Sequence, residues 1–148
     1  EVIPSNVDED QVKNSLLKEK ATPEIISKNL AELKANKVSQ KMNDHLVLGA
    51  DSVIDLNGEL ISKPEDRSEA LKILQKLNGK KHQLISSVCI SKNGSMIWNY
   101  TDKAFLTMKN LILPRHLVQL ISLPKIRVYL LMRFRFIYTA VFGMDLFL

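Results

Sequence analysis

Leu46-Val-Leu-Gly-Ala-Asp51-Ser-Val-Ile-Asp-Leu-Asn-Gly58-Glu-Leu-Ile-Ser-Lys63-Pro64 decides the reading of this chain. An apolar run leads to one carboxylate. A second apolar run leads to an Asn-Gly turn, and a returning strand stops at a lysine before a proline. Aliphatic content predicts a buried strand over His45 to Ala50. Asp51 is then expected at the strand end or in a cleft, because burying an unpaired carboxylate is costly. Asn57-Gly58 is the strongest hairpin signal in the chain. The hairpin would carry Lys63 back toward Asp51.

Downstream, Asp66 or Ser68 predicts a helix cap. The helix runs to about Leu77, with Ala70, Leu71, Leu74 and Leu77 inward, and Asn78-Gly79 stops it. A strand follows over His82 to Ser91, alternating Leu84, Ser86, Val88 and Ile90 against Ile85, Ser87 and Cys89. Asn93-Gly94 turns it into a partner strand over Met96 to Met108. Upstream, Thr22-Pro23-Glu24 reads as a helix start: an N-cap, proline at the first position, and an acid at the positive dipole end. That helix is expected to reach about Lys41, with Ile26, Leu30, Leu33 and Val38 on its apolar face. Lys34 lies at the edge of that face. A shorter helix is expected over Asp10 to Lys18 with Val12, Leu16 and Leu17 inward. It follows an acidic loop, Asn6-Val-Asp-Glu-Asp10, and an entering strand over Glu1 to Pro4. The order α-α-β-β-α-β-β is that of a mixed α/β domain.

The 148 residues suffice for one domain with a core. Net charge is +5, but residues 112–148 hold five Lys/Arg and one acid. The other 111 residues carry sixteen basic and fifteen acidic side chains, so the main body offers no basic face for nucleic acid. The single cysteine, Cys89, excludes an internal disulfide and offers no metal-ligand spacing; it reads as a buried, inert thiol. With no signal peptide, the chain reads as cytosolic. Residues 112–148 break character: two prolines, many aliphatics, and arginine alternating with aromatics in Arg133-Phe-Arg-Phe136. Such a tail can associate with RNA or a membrane surface. Its arginines argue against a spanning helix, and its loss of acids favours an aberrant C-terminus.

Two groups could carry chemistry. Asp51 and the acidic run Asp8, Glu9 and Asp10 could hold a divalent cation or activate a water. Lys34 and Lys63 could converge on Asp51, and ammonium groups beside carboxylates suit a polyphosphate bound through Mg²⁺. A solvated acidic surface and a snorkelling lysine are the plain alternatives. No P-loop, G-x-G-x-x-G, H-E-x-x-H or nucleophile elbow is present. His45, His82 and His116 are dispersed and read as structural or surface residues.

Leu48-Gly-Ala-Asp-Ser-Val, Asn57-Gly58, Lys63-Pro64, Glu69-Ala70 and Leu74-x-x-Leu77-Asn-Gly79-Lys-x-His82 together resemble the Maf family of nucleoside triphosphate pyrophosphatases. Val7-Asp-Glu resembles that family's acidic loop. Leu30-Ala31-x-x-Lys34-Ala35 resembles its L-A-x-x-K-A helix, and Thr107-Met108-x-Asn110-Leu111 the start of its next element. The resemblance covers residues 1–111, read as the family domain, and leaves 112–148 as an unmatched basic, apolar tail. It implies an elongated α/β fold related to inosine triphosphatases, a mixed sheet with flanking helices and a nucleotide cleft between two lobes. It implies hydrolysis of a nucleoside triphosphate to the monophosphate and pyrophosphate, with Mg²⁺ or Mn²⁺ as cofactor and a homodimer as assembly. Position by position, it makes Asp51 the proton acceptor or water-orienting carboxylate and Glu9, with Asp51, a metal ligand. It makes Lys34 and Lys63 phosphate contacts, and Ser52 the base-selecting position, closer to a dTTP/UTP subgroup than to a 7-methyl-GTP one. The family's S-x-S-P-R-R phosphate loop and its later glycine-rich and G-L-P-L segments have no match here. The expectation is therefore a truncated member with little or no turnover. The alternative is a non-catalytic remnant that binds nucleotide.

Overall fold

The computed structural model describes residues 1–110, so the readings made on residues 111–148, including His116 and Arg133 to Phe136, lie outside the described residues. The elements are α1 (Glu9–Lys18), α2 (Pro23–Ser39), β1 (Val47–Leu56), β2 (Glu59–Ile61), α3 (Arg67–Leu77), β3 (Lys81–Lys92) and β4 (Ser95–Thr107). Element order and type follow the sequence, except that Glu1 to Pro4 forms no strand.

Four strands make one antiparallel sheet in the order β2-β1-β3-β4. Both hairpins turn where Asn-Gly predicted. Asn57 and Gly58 have φ of 54° and 88°, and Asn93 and Gly94 have 51° and 81°. Two consecutive left-handed residues give a turn whose twist matches the strands on either side, and Asn-Gly adopts it at least cost.

Helix α2 packs on one face of the sheet. Ile26, Leu30, Ala31, Ala35 and Val38 are buried on it, but Leu33, expected inside, is 40 % exposed. The phase of the helix turns Leu33 away from the face that buries Ile26 and Leu30, and beside Gly49 the helix meets β1 through small residues. A Cβ on Gly49 would stand 2.5 Å from the Ala31 carbonyl oxygen and 2.6 Å from the Ala35 nitrogen. Hydroxyls complete the contact. Ser91 Oγ donates to Asn36 Oδ1 at 2.7 Å, and the Gly94 amide donates to Ser39 Oγ at 2.9 Å. Cys89 is buried in this layer against Ala31 and Ala35, and burial pushes its thiol pKa up, in keeping with an inert thiol.

Strand alternation sends neighbouring residues to opposite faces. Leu48, Ile90 and Trp98 align across three strands on the face away from α2, as do Ala50, Val88 and Tyr100. Trp98 and Tyr100 stack with centroids 6.2 Å apart. Leu48, Trp98 and Tyr100 are exposed there.

Helix α3 starts where predicted: Asp66 Oδ1 accepts from the Glu69 amide at 2.7 Å. Of its expected inward residues, Leu77 is buried and Ala70, Leu71 and Leu74 are half-buried. Loss of this cap in Asp66→Ala is expected to cost about 1 kcal/mol of stability in urea unfolding, while Asp66→Asn should cost much less.

Candidate active site

Asp51 does not end a strand. It sits within β1, which runs on to Leu56, and is only 8 % exposed. The strand continues through a carboxylate because α2 supplies a partner. Lys34 Nζ lies 2.7 Å from Asp51 Oδ1. Ser27, about two turns earlier on the same helix, donates its hydroxyl to the Asp51 carbonyl at 3.0 Å. One helix therefore fixes both the main chain and the side chain of Asp51. Small residues at 27, 31 and 35, spaced by four, are the sequence signal for this close approach. Reading α2 for large aliphatics alone passes over it.

The same ammonium reaches α1: Lys34 Nζ is 2.8 Å from Glu9 Oε1. The second Glu9 oxygen is 3.3 Å from Lys13 Nζ. Lys13 is absent from the sequence-based candidates, although it follows Glu9 by four residues, a spacing that pairs charges on one helix face. Asp8 caps α1, accepting from the Gln11 amide at 3.0 Å, and the exposed Asp10 comes only within 4.0 Å of Lys13, so of the acidic run only Glu9 reaches Lys34. Lys37 also donates to the Asn6 carbonyl, tying the loop before α1 to α2.

Lys13, Glu9, Lys34 and Asp51 thus alternate in charge. Burial raises the Glu9 carboxyl pKa, but Lys34 and Lys13 outweigh it and hold Glu9 below its usual range. Burial pushes the Asp51 carboxyl up, and Lys34 does not fully offset this. Burial lowers the Lys34 pKa, but the hydrogen bonds and charges of Asp51 and Glu9 more than compensate, so it stays raised. Two carboxylates on one ammonium are therefore driven apart, Glu9 toward the ionised form and Asp51 toward the protonated one. Acid–base sites use such opposed shifts, and structural ion-pair networks produce them as well.

Lys63 is not in contact with Asp51. It follows β2 and, with Ser62, Pro64 and Glu65, lines a cleft of about 690 Å³ whose other lining residues include Glu9 and Lys13. Strand β2 is short and pairs only with Ile54, Asp55 and Leu56, so the hairpin leaves Lys63 at the cleft and short of Asp51. Ser52 points to the opposite face of the sheet from Asp51, where its hydroxyl is 2.9 Å from that of Ser86. The chain thus brings Glu9, Lys34 and Asp51 together, places Lys63 on the cleft next to Glu9, and keeps Ser52 apart.

A family model described as Maf-like protein matches residues 1–114. The chain belongs to the Maf-like family. Over 110 residues it is 77 % identical to a nucleoside triphosphate pyrophosphatase of Pelagibacter ubique (strain HTCC1062), covering 74 % of this chain and 56 % of that protein. A nucleoside triphosphate pyrophosphatase of Ruegeria pomeroyi is 42 % identical over 105 residues, 71 % of this chain and 53 % of its own length. A 7-methyl-GTP pyrophosphatase of Brucella abortus is 38 % identical over 107 residues, 72 % and 54 % of the two chains. The chain spans about half the length of the curated relatives it matches.

Membership tests the geometry against a divalent metal. Among the described residues no group of three or more His, Cys, Asp or Glu side chains could hold an ion, and none of their helices is long and apolar enough to cross a membrane. Two carboxylates on one cluster still fit Mg²⁺, which binds through one or two carboxylates when substrate phosphates complete its shell. Glu9 and Asp51 are the residues of this Maf-like chain that would hold it.

Lys34 is the hinge of the cluster, and removing it strands Asp51. Lys34→Met is expected to cost about 3 kcal/mol or more at neutral pH, since an uncompensated charge is left in a buried site. In that variant Asp51 takes up a proton more readily in the folded state than in the unfolded one. The penalty is therefore full above its raised pKa and shrinks as pH falls through it. Urea unfolding of both chains across pH checks the sign.

Proposed function

We propose that this chain carries the hydrolytic centre of a nucleoside triphosphate pyrophosphatase, cleaving between the α- and β-phosphates to leave a nucleoside monophosphate and pyrophosphate. The observation that carries the reading is the Lys34 ammonium held between Glu9 and Asp51 beside a cleft with a second lysine, Lys63. The printed names of the relatives support the same chemistry.

Asp51 accepts a proton from the attacking water. The water oxygen forms a bond to the α-phosphorus as the bond to the bridging oxygen breaks, and pyrophosphate leaves with that electron pair. Burial raises the basicity of Asp51, which favours proton transfer. Lys34, which orients the carboxylate before substrate binds, offsets charge on the phosphate oxygens together with Lys63. Mg²⁺ or Mn²⁺ bound at Glu9 and Asp51 would neutralise phosphoryl charge. Ser52 remains the proposed base-selecting position, acting from the far face of the sheet through its hydroxyl pair with Ser86. A homodimer in the cytoplasm completes the proposal.

The test is pyrophosphate release from dTTP, UTP and 7-methyl-GTP by the purified chain with Mg²⁺. Release of pyrophosphate with equal nucleoside monophosphate, however slow, supports the reading. No release, together with no binding of a non-hydrolysable triphosphate, would sink the reading. Binding without release would leave the nucleotide-binding remnant.

A further inference from the structure

We infer that Lys34 occupies the cation position of the site in the nucleotide-free protein, so that a divalent metal enters only as its complex with the triphosphate. The inference rests on the pyrophosphatase reading above and deepens it. One ammonium nitrogen stands 2.8 Å from Glu9 Oε1 and 2.7 Å from Asp51 Oδ1. These are ammonium–carboxylate distances. A bound Mg²⁺ requires oxygens at about 2.1 Å, so an ion there needs Lys34 withdrawn and both carboxylates drawn in.

The carboxylates already have ammonium partners without a metal. Lys34 bridges Glu9 and Asp51, and Lys13 pairs with the second Glu9 oxygen and, at 4.0 Å, with the exposed Asp10. A divalent ion added to this set meets two cations at close range. It also finds no third acidic, histidine or cysteine ligand among the described residues. A triphosphate changes both terms. Its oxygens complete the metal's shell, and its negative charge gives the Lys34 ammonium a new partner. Lys34 then passes from carboxylates to phosphate as the metal takes its place. The cleft lined by Glu9, Lys13 and Lys63 adjoins this exchange.

Removing Lys34 should therefore create a metal site in the absence of nucleotide. Two carboxylates left without their shared ammonium repel each other and attract a divalent ion. The probe is Mn²⁺, titrated into the full chain and followed by loss of the free-ion electron paramagnetic resonance signal. Wild type is expected to take up Mn²⁺ with a non-hydrolysable triphosphate and to take up little with Mn²⁺ alone. Lys34→Met is expected to bind Mn²⁺ alone about tenfold or more tightly than wild type, and Lys34→Met combined with Asp51→Asn to lose that gain. Wild type binding Mn²⁺ as tightly alone as with the analogue would overturn the inference. So would a folded Lys34→Met, or Lys34→Gln if the methionine variant does not fold, that gains no Mn²⁺ affinity. An analogue that fails to bind wild type overturns the pyrophosphatase reading instead, and the comparison in Mn²⁺ alone still decides on Lys34.

Discussion

Asp51→Asn is expected to lower the rate of pyrophosphate release by a factor of about 10²–10⁴, with a much smaller effect on substrate KM. Asparagine matches aspartate in shape, and the contacts that place residue 51 survive. Ser27 still donates to the main-chain carbonyl, and Lys34 still has Glu9. What is lost is the proton acceptor. The variant should fold well, because burial already disfavours the ionised form of Asp51. Its stability should exceed that of Lys34→Met at neutral pH. Steady-state kinetics and urea unfolding on the same preparation separate the two effects. A variant that keeps its rate would remove Asp51 from the proton-transfer role.

The pH profile should report the same carboxylate. Against burial, Lys34 and Lys13 hold Glu9 below its usual range, whereas burial holds Asp51 above its own. As pH falls, activity should fall through the raised pKa of Asp51. In stability the signs oppose. Glu9 contributes stability above its unfolded pKa that is lost as pH falls through its depressed folded value. Asp51 costs stability above its raised folded pKa and is relieved below it. The acidic limb of kcat/KM in wild type, absent from the residual rate of Asp51→Asn, tests the assignment.

Much of this site was legible because local signals agree with one another. Thr22-Pro23 fixes where α2 begins, so the phase of the helix and the place of Lys34 on it follow. The Asn-Gly pairs fix both hairpins and, through them, the register of β1 against β2 and of β3 against β4. The extent of β1 was not legible. A carboxylate in an apolar run reads as a strand end until its partner is known, and the partner lies 17 residues away on a helix. The distance of Lys63 from Asp51 is not legible for a related reason. Asn57-Gly58 sets the direction of the return but not its length, and β2 pairs over three residues only. Ser52 follows Asp51 in sequence, yet in a strand the next residue faces the other way.

The geometry of the whole cluster depends on how closely α2 lies on β1, and Gly49→Ala tests that distance. The added Cβ would meet Ala31 O at 2.5 Å, Ala35 N at 2.6 Å and Ala35 Cβ at 2.9 Å. Two of these are helix backbone atoms, which cannot swing aside as the end of a long side chain can. Either α2 lifts from the sheet or β1 bends. Overpacking usually costs about 1–3 kcal/mol, and a clash against helix backbone belongs at or above the upper end. Lifting α2 also separates its lysine from the strand, and Lys34 and Ser27 both reach Asp51 across this interface. Gly49→Ala is therefore expected to lose about 3 kcal/mol or more in urea unfolding. At temperatures where it is still folded, it should lose most of its activity as well. Ala35→Gly in the same chain removes one of the three contacts and leaves two. It should restore only part of either loss, whereas full rescue would mean that the Ala31 carbonyl and the Ala35 amide do not set the spacing.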